Sequence, residues 1–266
     1  MIQKSFIFLD GIDRLTEKNL WRNGIASWEA FIEAAQIKGF SKARKAYYDR
    51  QLKKAQNALY NFDSSYFVNV LPSAEAWRLY NFFKEDAVFL DIEVTGISSH
   101  DDITVIGLFD GVNTKIMIKG INLDMKYLKR ELEKYKLIVS YNGSAFDIPF
   151  LIKRYPSLLP KIPHFDLKSA CQRLGLRGGL KEVERRLGIK RQNWIIDKLY
   201  NGDILKLYKM YKATGDDYYL RLLVEYNEED VINLKFIADK IIDVLSSQTF
   251  ASFYHPVIFQ EEEHPE

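Results

Sequence analysis

The chain has 266 residues, 47% hydrophobic and 28% charged, a mixture that belongs to a globular protein with a sizeable core and excludes disordered, collagen-like and coiled-coil chains. Lys and Arg number 38 and Asp and Glu 36, so the formal charge of +2 designates no polyanionic partner, and any electrostatic argument has to be local. A single cysteine, Cys171, excludes an internal disulfide and a thiolate metal cluster, and no stretch approaches the ~18 apolar residues of a membrane span.

Residues 1–13 include Lys4 and no apolar run of signal-peptide length, so the expectation is a soluble, cytoplasmic protein with no membrane partner. Apolar residues then recur at three- and four-residue steps in 15–22, 28–35, 41–60 and 74–83, punctuated by Gly11, Gly24, Gly39 and Pro72. That pattern predicts a small helical unit over residues 1–84. Residues 87–94, Ala-Val-Phe-Leu-Asp-Ile-Glu-Val, form a continuous β-favouring run that suits a central strand buried on both faces and ended by Thr95-Gly96. Residues 103–109 and 114–118, separated by Asp110-Gly111, predict two further strands, hairpin-linked with the first. Residues 122–135 read as a helix and 137–141 as another apolar strand. From Phe146 onwards helices predominate, with breaks at Pro156, residues 160–163, Gly178-Gly179 and Gly215. The order implies an α/β domain over residues 85–247, a mixed sheet flanked by helices. Residues 248–266, with Pro256, Pro265 and three consecutive glutamates, read as a tail that frays over 252–266.

Three acidic motifs stand out. Asp91 and Glu93 lie two apart on a strand, so their side chains leave the same face, near the strand end where sites in α/β sheets usually form. Two anions on an apolar strand repel each other and resist desolvation, so they need either backbone donors or a shared cation. Asn142-Gly143-Ser144-Ala145-Phe146-Asp147 follows the strand at 137–141 and opens a helix, which places Asp147 at a strand-to-helix turn. There it either complements the helix dipole or faces the same site. Tyr226 and Asp230 are four apart in the amphipathic stretch 218–245, hence on one helical face, one turn apart. Asp-x-Glu and Tyr-x-x-x-Asp each arise about once by chance in such a composition, whereas Asn-x-x-x-Phe-Asp is expected only about 0.06 times.

These motifs, covering residue 88 to about 242, resemble the three exonuclease motifs of the DEDDy group on the ribonuclease H-like fold. Tyr141-Asn142-Gly143, Gly179-Leu180-Lys181 and Tyr226-Asn227-Glu228-Glu229-Asp230-Val231 are similar to the YprB-like family of predicted exonucleases, which resembles the proofreading domain of family B DNA polymerases. The resemblance implies a sheet whose first three strands form an antiparallel meander. It implies that Asp91, Glu93, Asp147 and Asp230 hold two divalent ions and that Tyr226 orients the attacking water. It also implies 3′-5′ hydrolysis of single-stranded or frayed nucleic acid. The chemistry agrees: four hard oxygen donors, no Cys cluster, and His100, His164, His255 and His264 scattered along the chain favour Mg²⁺ or Mn²⁺ over zinc. A phenol with its ordinary pKa near about 10 suits positioning of water better than proton removal. A structure-specific endonuclease on the same fold, or a nucleic-acid-binding protein with a vestigial site, are the alternatives.

Substrate contacts are expected at Thr95 and Gly96, in backbone reach of a terminal nucleotide or a plain turn, and at Asn142 and Phe146, the latter either stacking on a base or joining the core. Residues 41–58 carry six basic residues against Asp49, with Tyr47 and Tyr48 interleaved. Residues 173–191 carry seven, Arg177 and Lys181 among them, against Glu182 and Glu184, with Gly178-Gly179 placed to start a helix toward a phosphate. Each run is either a phosphate track or a solvated face. Leu9-Asp10-Gly11-Ile12-Asp13 resembles a helix-hairpin-helix, a phosphate-gripping module, except that Asp13 stands in place of the second hairpin glycine, which leaves a purely structural hairpin equally open. Asp166 reads as the N-cap of a helix at 167–174 rather than a fifth ligand.

Overall fold

The computed structural model describes residues 1–96, 101–192 and 203–250. After a 3₁₀ turn at Ile2–Lys4 come α1 (Arg14–Arg22), α2 (Trp28–Glu33), α3 (Lys42–Tyr60) and α4 (Ser65–Val68). The first three start on side-chain caps: Asp13 accepts from the Thr16 amide at 2.7 Å, Ser27 from Ala30 at 3.2 Å and Ser41 from Arg44 at 3.2 Å. Asp13 is thus committed to the helix that follows it. The expected helix over 74–83 divides into a 3₁₀ segment, Ser73–Leu79, and one α-turn, α5 (Tyr80–Phe83). Three residues per turn stack Glu75 directly on Arg78, and those two side chains bond at 2.7 Å in the interior, which favours the tighter winding.

A last 3₁₀ turn, Lys84–Asp86, leads into β1 (Ala87–Val94), followed by β2 (Ile103–Phe109), β3 (Thr114–Ile118), α6 (Met125–Leu132), β4 (Leu137–Ser140) and α7 (Asp147–Arg154). Then come β5 (His164–Asp166), α8 (Leu167–Arg173), α9 (Leu180–Arg186), α10 (Ile204–Thr214) and the 34-residue α11 (Asp217–Phe250). The sheet order is β3-β2-β1-β4-β5; β1, β2 and β3 run as an antiparallel meander, and β4 and β5 are parallel to β1. The Asp110 carboxylate closes the β2–β3 turn by accepting from the Val112 and Asn113 amides. The three-residue β5 falls within the stretch where helices were expected to predominate and no strand was assigned; a strand that short carries no readable alternation.

Alternation along β1 divides the core. Val88, Leu90 and Ile92 pack on one face with Leu128 of α6 and Leu151 of α7. Ala87 and Phe89 join the other face, with Val231, Leu234 and Ile237 of α11, and with Trp28, Leu52, Trp77 and Phe83 of the helical unit. The helical unit and the sheet therefore share one continuous apolar cluster. Phe250, at the end of α11, lies 4.9 Å from the Trp21 ring, so residues 248–250 are docked helix; the rest of the expected tail lies outside the described residues. Among the described residues no helix is long and apolar enough to cross a membrane.

Candidate functional site

Asp91 and Glu93 continue the Ala87–Phe89 alternation, so both carboxylates emerge on the face of β1 that α11 covers. How closely α11 approaches is decided at Gly107, the β2 residue paired with Asp91. A Cβ there would sit 2.5 Å from Asn227 Oδ1 and 2.9 Å from Val231 Cγ1, so a side chain would wedge the helix off the sheet. With glycine in place, Tyr226 and Asp230 come down onto β1. Carboxylate oxygens of Asp91, Glu93 and Asp230 then all lie within 4.8 Å of one another. Residues 91, 107 and 230 meet although they are far apart in the chain.

Asp147 heads α7 and accepts a hydrogen bond from the Ile92 amide, the residue between Asp91 and Glu93, at 3.3 Å. It stands beside the trio without joining it at that spacing. Its position is set by the loop before it. Asn142 adopts φ 64°, and a Cβ on Gly143 would lie 2.0 Å from Ser140 Oγ and 3.2 Å from Asp147 Oδ2. The Asp166 carboxylate accepts from the Asn142 amide at 2.9 Å, the Ser144 amide at 3.0 Å and the Lys168 amide at 2.9 Å. One aspartate therefore caps α8 and fastens the loop that delivers Asp147. The cap was legible in the sequence. The loop-fastening role of Asp166 and the packing role of Gly107 were not, because both depend on partners distant in sequence.

Proton affinities report the crowding. Burial, then the charges of Asp147, Glu93 and Asp230, raise the Asp91 carboxyl well above its usual range. Burial followed by Asp230 pushes Glu93 up to about 8. Asp147 rises to about 6 through burial, opposed by backbone donors, and Asp230 rises to about 6 through burial, opposed by Arg191. The basic neighbours are few. Arg191 donates to Asp230 and to Glu184, and its guanidinium lies 5.2 Å from the Tyr226 ring centre; Lys181 Nζ lies 5.0 Å from the same ring. This cluster of hard oxygen donors fits a divalent cation, which would offset a repulsion that two flanking bases leave partly unrelieved. His164 is elsewhere, its ring bonded to Ser140 Oγ at 2.8 Å and its pKa pushed down to about 4 by burial. His100, His255 and His264 lie outside the described residues.

The expected substrate residues are distributed as follows. The Thr95 amide donates to Asp102 O at 3.0 Å and its hydroxyl to Asp101 at 2.8 Å, so Thr95 is engaged within its own turn, and Gly96 faces the Asp101 carboxylate. Asn142 Oδ1 accepts from Lys168 Nζ at 3.1 Å. Phe146, half-buried, stacks on Phe150 at 6.1 Å and packs against the apolar cluster below. Arg177 is exposed; Gly178 accepts from the Tyr141 hydroxyl, and α9 after it has seven residues. Both basic runs are partly spent on structure. Lys45 pairs with Asp49, Arg44 covers the Phe40 and Tyr48 rings, Arg173 bonds Glu75, and Arg185 and Arg186 bond Glu182. Lys42, Arg50, Lys53 and Lys54 remain exposed on α3.

Residues 88–242, more than half of the chain, match the model of the RNase_H superfamily. No curated protein matches at a significant level. Among solved structures, the family B DNA polymerase from the hyperthermophilic archaeon Pyrobaculum calidifontis is similar, at 17% identity and a TM-score of 0.47, over 62% of this chain and 27% of the polymerase chain. The chain thus spans about a quarter of that polymerase.

Proposed function

This chain belongs to the RNase_H superfamily, and from that premise we propose that it is a metal-dependent nuclease of the DEDDy type, removing nucleotides from the 3′ end of single-stranded or frayed nucleic acid. One observation carries the reading: carboxylate oxygens of Asp91, Glu93 and Asp230 converge within 4.8 Å, with Tyr226 one helical turn from Asp230 and Asp147 alongside. Asp91, Glu93, Asp147 and Asp230 would hold Mg²⁺ or Mn²⁺, two ions by the family resemblance. Held there, such ions would lower the pKa of a bound water below its bulk value and offset negative charge on the phosphate and leaving oxygen.

The chain's own contribution is placement. Asp91 and Glu93 are fixed by the β1–β2 ladder, Asp230 and Tyr226 by a helix held against Gly107, and Asp147 by the Ile92 amide. Tyr226, one helical turn from Asp230 and 5% exposed, is set to hold a water by hydrogen bonding rather than to take its proton. Lys181, beside the Tyr226 ring, brings positive charge to the entry side for a phosphate. Phe146 and Asn142, at the mouth of α7, would meet the terminal nucleotide.

The decisive experiment supplies DNA and RNA oligomers labelled at either end, beside circular strands, with Mg²⁺ or Mn²⁺. Stepwise loss from the 3′ end, absent with chelator and in Asp91→Ala, is expected. Cleavage of circles would turn the reading to an endonuclease, and full activity in Asp91→Ala would refute the site.

A further inference from the structure

Arg191 is the basic side chain most deeply placed at the carboxylates. Its side chain is 10% exposed and sits between two acids that are deeper still, Glu184 at 2% and Asp230 at 8%. Its bonds are unequally shared. Nε donates to Glu184 Oε2 at 2.6 Å and Nη2 to Glu184 Oε1 at 2.8 Å, a two-pronged pairing, while Asp230 accepts a single bond from Nη2. Glu184 is itself oriented by Asn233 Nδ2, which donates to Oε1 at 3.0 Å. The guanidinium is therefore anchored from behind, on α9, and touches the catalytic cluster with its outer edge.

That edge is incompletely used. A guanidinium has five donor hydrogens, and three of them meet the bonds above. Arg191 Nη1 is buried and has no hydrogen-bond partner among the described residues. A purely structural ion pair would gain nothing from burying two donors unmatched, which is among the costlier ways to leave a polar group. An acceptor-rich ligand arriving beside Asp91, Glu93 and Asp230 would match them.

Resting on the nuclease reading of this site, we propose that Arg191 is a substrate-binding residue that exchanges partners. It neutralises Asp230 until a divalent cation takes that carboxylate, and then donates from Nη1 and Nη2 to a non-bridging oxygen of the phosphodiester, with Glu184 holding the guanidinium throughout. Glu184 and Asn233 are positioning residues in this scheme. The forked geometry matters, because a lysine offers charge without the paired donors that a phosphate and Glu184 would share.

The test uses the full chain and two readouts. Mn²⁺ binding without nucleic acid is followed by titration calorimetry, and cleavage of a labelled oligonucleotide is measured at saturating Mn²⁺, with circular dichroism to verify folding. Arg191→Met removes the competing cation, so Mn²⁺ should bind about ten-fold tighter, while the KM for oligonucleotide rises and turnover falls, together by about ten- to hundred-fold. Arg191→Lys, which keeps the charge and the fold, should leave Mn²⁺ affinity near wild type and still raise KM. Glu184→Gln should raise KM similarly with intact Asp230. Mn²⁺ affinity within two-fold of wild type in Arg191→Met, or an unchanged KM in Arg191→Lys, would overturn the exchange and leave Arg191 a structural ion pair. If the wild-type chain binds Mn²⁺ and cleaves, such a failure concerns Arg191 alone; a wild-type chain that does neither overturns the nuclease reading with it.

Discussion

The carboxylate cluster makes stability in chelating buffer fall as pH rises. Glu93 is held up to about 8 and Asp91 well above its usual range, while in an unfolded chain both lose their protons near about pH 4. Between about pH 6.5 and 8 the folded protein therefore retains at least one proton that the unfolded protein has released. A raised carboxylate pKa works in the opposite sense to a salt-bridged one: its penalty begins above the unfolded pKa and grows until the folded pKa is passed. Each retained proton costs about 1.4 kcal/mol per pH unit, so one proton across this window lowers stability by about 2 kcal/mol, a sizeable part of an ordinary folding free energy. Urea unfolding at pH 6.5, 7 and 8 with EDTA measures the slope. Asp91→Asn deletes one charge of the cluster, so it should unfold at higher urea than wild type at pH 8 and show a flatter slope. Mg²⁺ should flatten the wild-type slope in the same way. His164 and the amino terminus, whose pKa values are both lowered in the fold, contribute equally to the two proteins and cancel in the difference. Parallel slopes for wild type and Asp91→Asn, or indifference to Mg²⁺, would refute the claim that these carboxylates repel one another in a shared cation site.

Tyr226→Phe should lower turnover about ten- to hundred-fold and leave Mn²⁺ affinity within two-fold, because the phenol is assigned to water and not to the ions; single-turnover rates and calorimetry separate the two. Gly107→Ala would set a methyl 2.5 Å from Asn227 Oδ1, so it should destabilise by about 1–3 kcal/mol and weaken Mn²⁺ binding as Asp230 retreats with α11; thermal melting and titration read both effects. Arg78→Met should cost about 3–5 kcal/mol in urea unfolding, since it takes from Glu17, 1% exposed, its cationic partner, while Glu75 keeps Arg14 and Arg173.

Much of the α/β half was legible because its signals are local. A two-residue step on the strand at 87–94 puts Asp91 and Glu93 on one face of β1, and a four-residue step puts Tyr226 and Asp230 on one face of α11. The three strands of the meander fall where apolar runs and an Asp-Gly turn placed them. What local pattern does not carry is distance between elements. The place of Asp147 beside the trio rather than in it depends on the Ile92 amide and on Asp166, which lies twenty-two and twenty-four residues from the amides it fastens. The 3₁₀ course of residues 73–79 follows from Glu75, Trp77 and Arg78 all being buried against the helical unit, a tertiary demand that overrides helix periodicity. The excess of basic residues at 173–191 is likewise only partly legible, because a composition count cannot see that Arg173 bonds Glu75 or that Arg191 bonds Glu184 and Asp230.

Two buried charge clusters in this molecule differ in a way that separates structure from function. Around Arg78, 1% exposed, every guanidinium nitrogen has a partner: Nε meets Glu75, Nη1 meets Ser5 and Glu17, and Nη2 meets Glu17, whose Oε1 also accepts from the Phe6 and Ile7 amides. Arg14 and Arg173 complete Glu75. That network ties α1, the 3₁₀ segment and α8 together and asks for nothing from outside. At the junction of β1 and α11 the accounts do not close: three carboxylates face one another, Arg191 Nη1 has no partner, and Asn227, fully buried against Gly107, has neither amide atom bonded among the described residues. Folding alone would select against such an arrangement, since apolar residues of the same size would pack there at lower cost. Unmatched donors and mutually repelling acceptors in one place are what a site for a cation and a phosphate requires, and the same chain shows, one layer away, that it can satisfy buried charge completely where only stability is at stake.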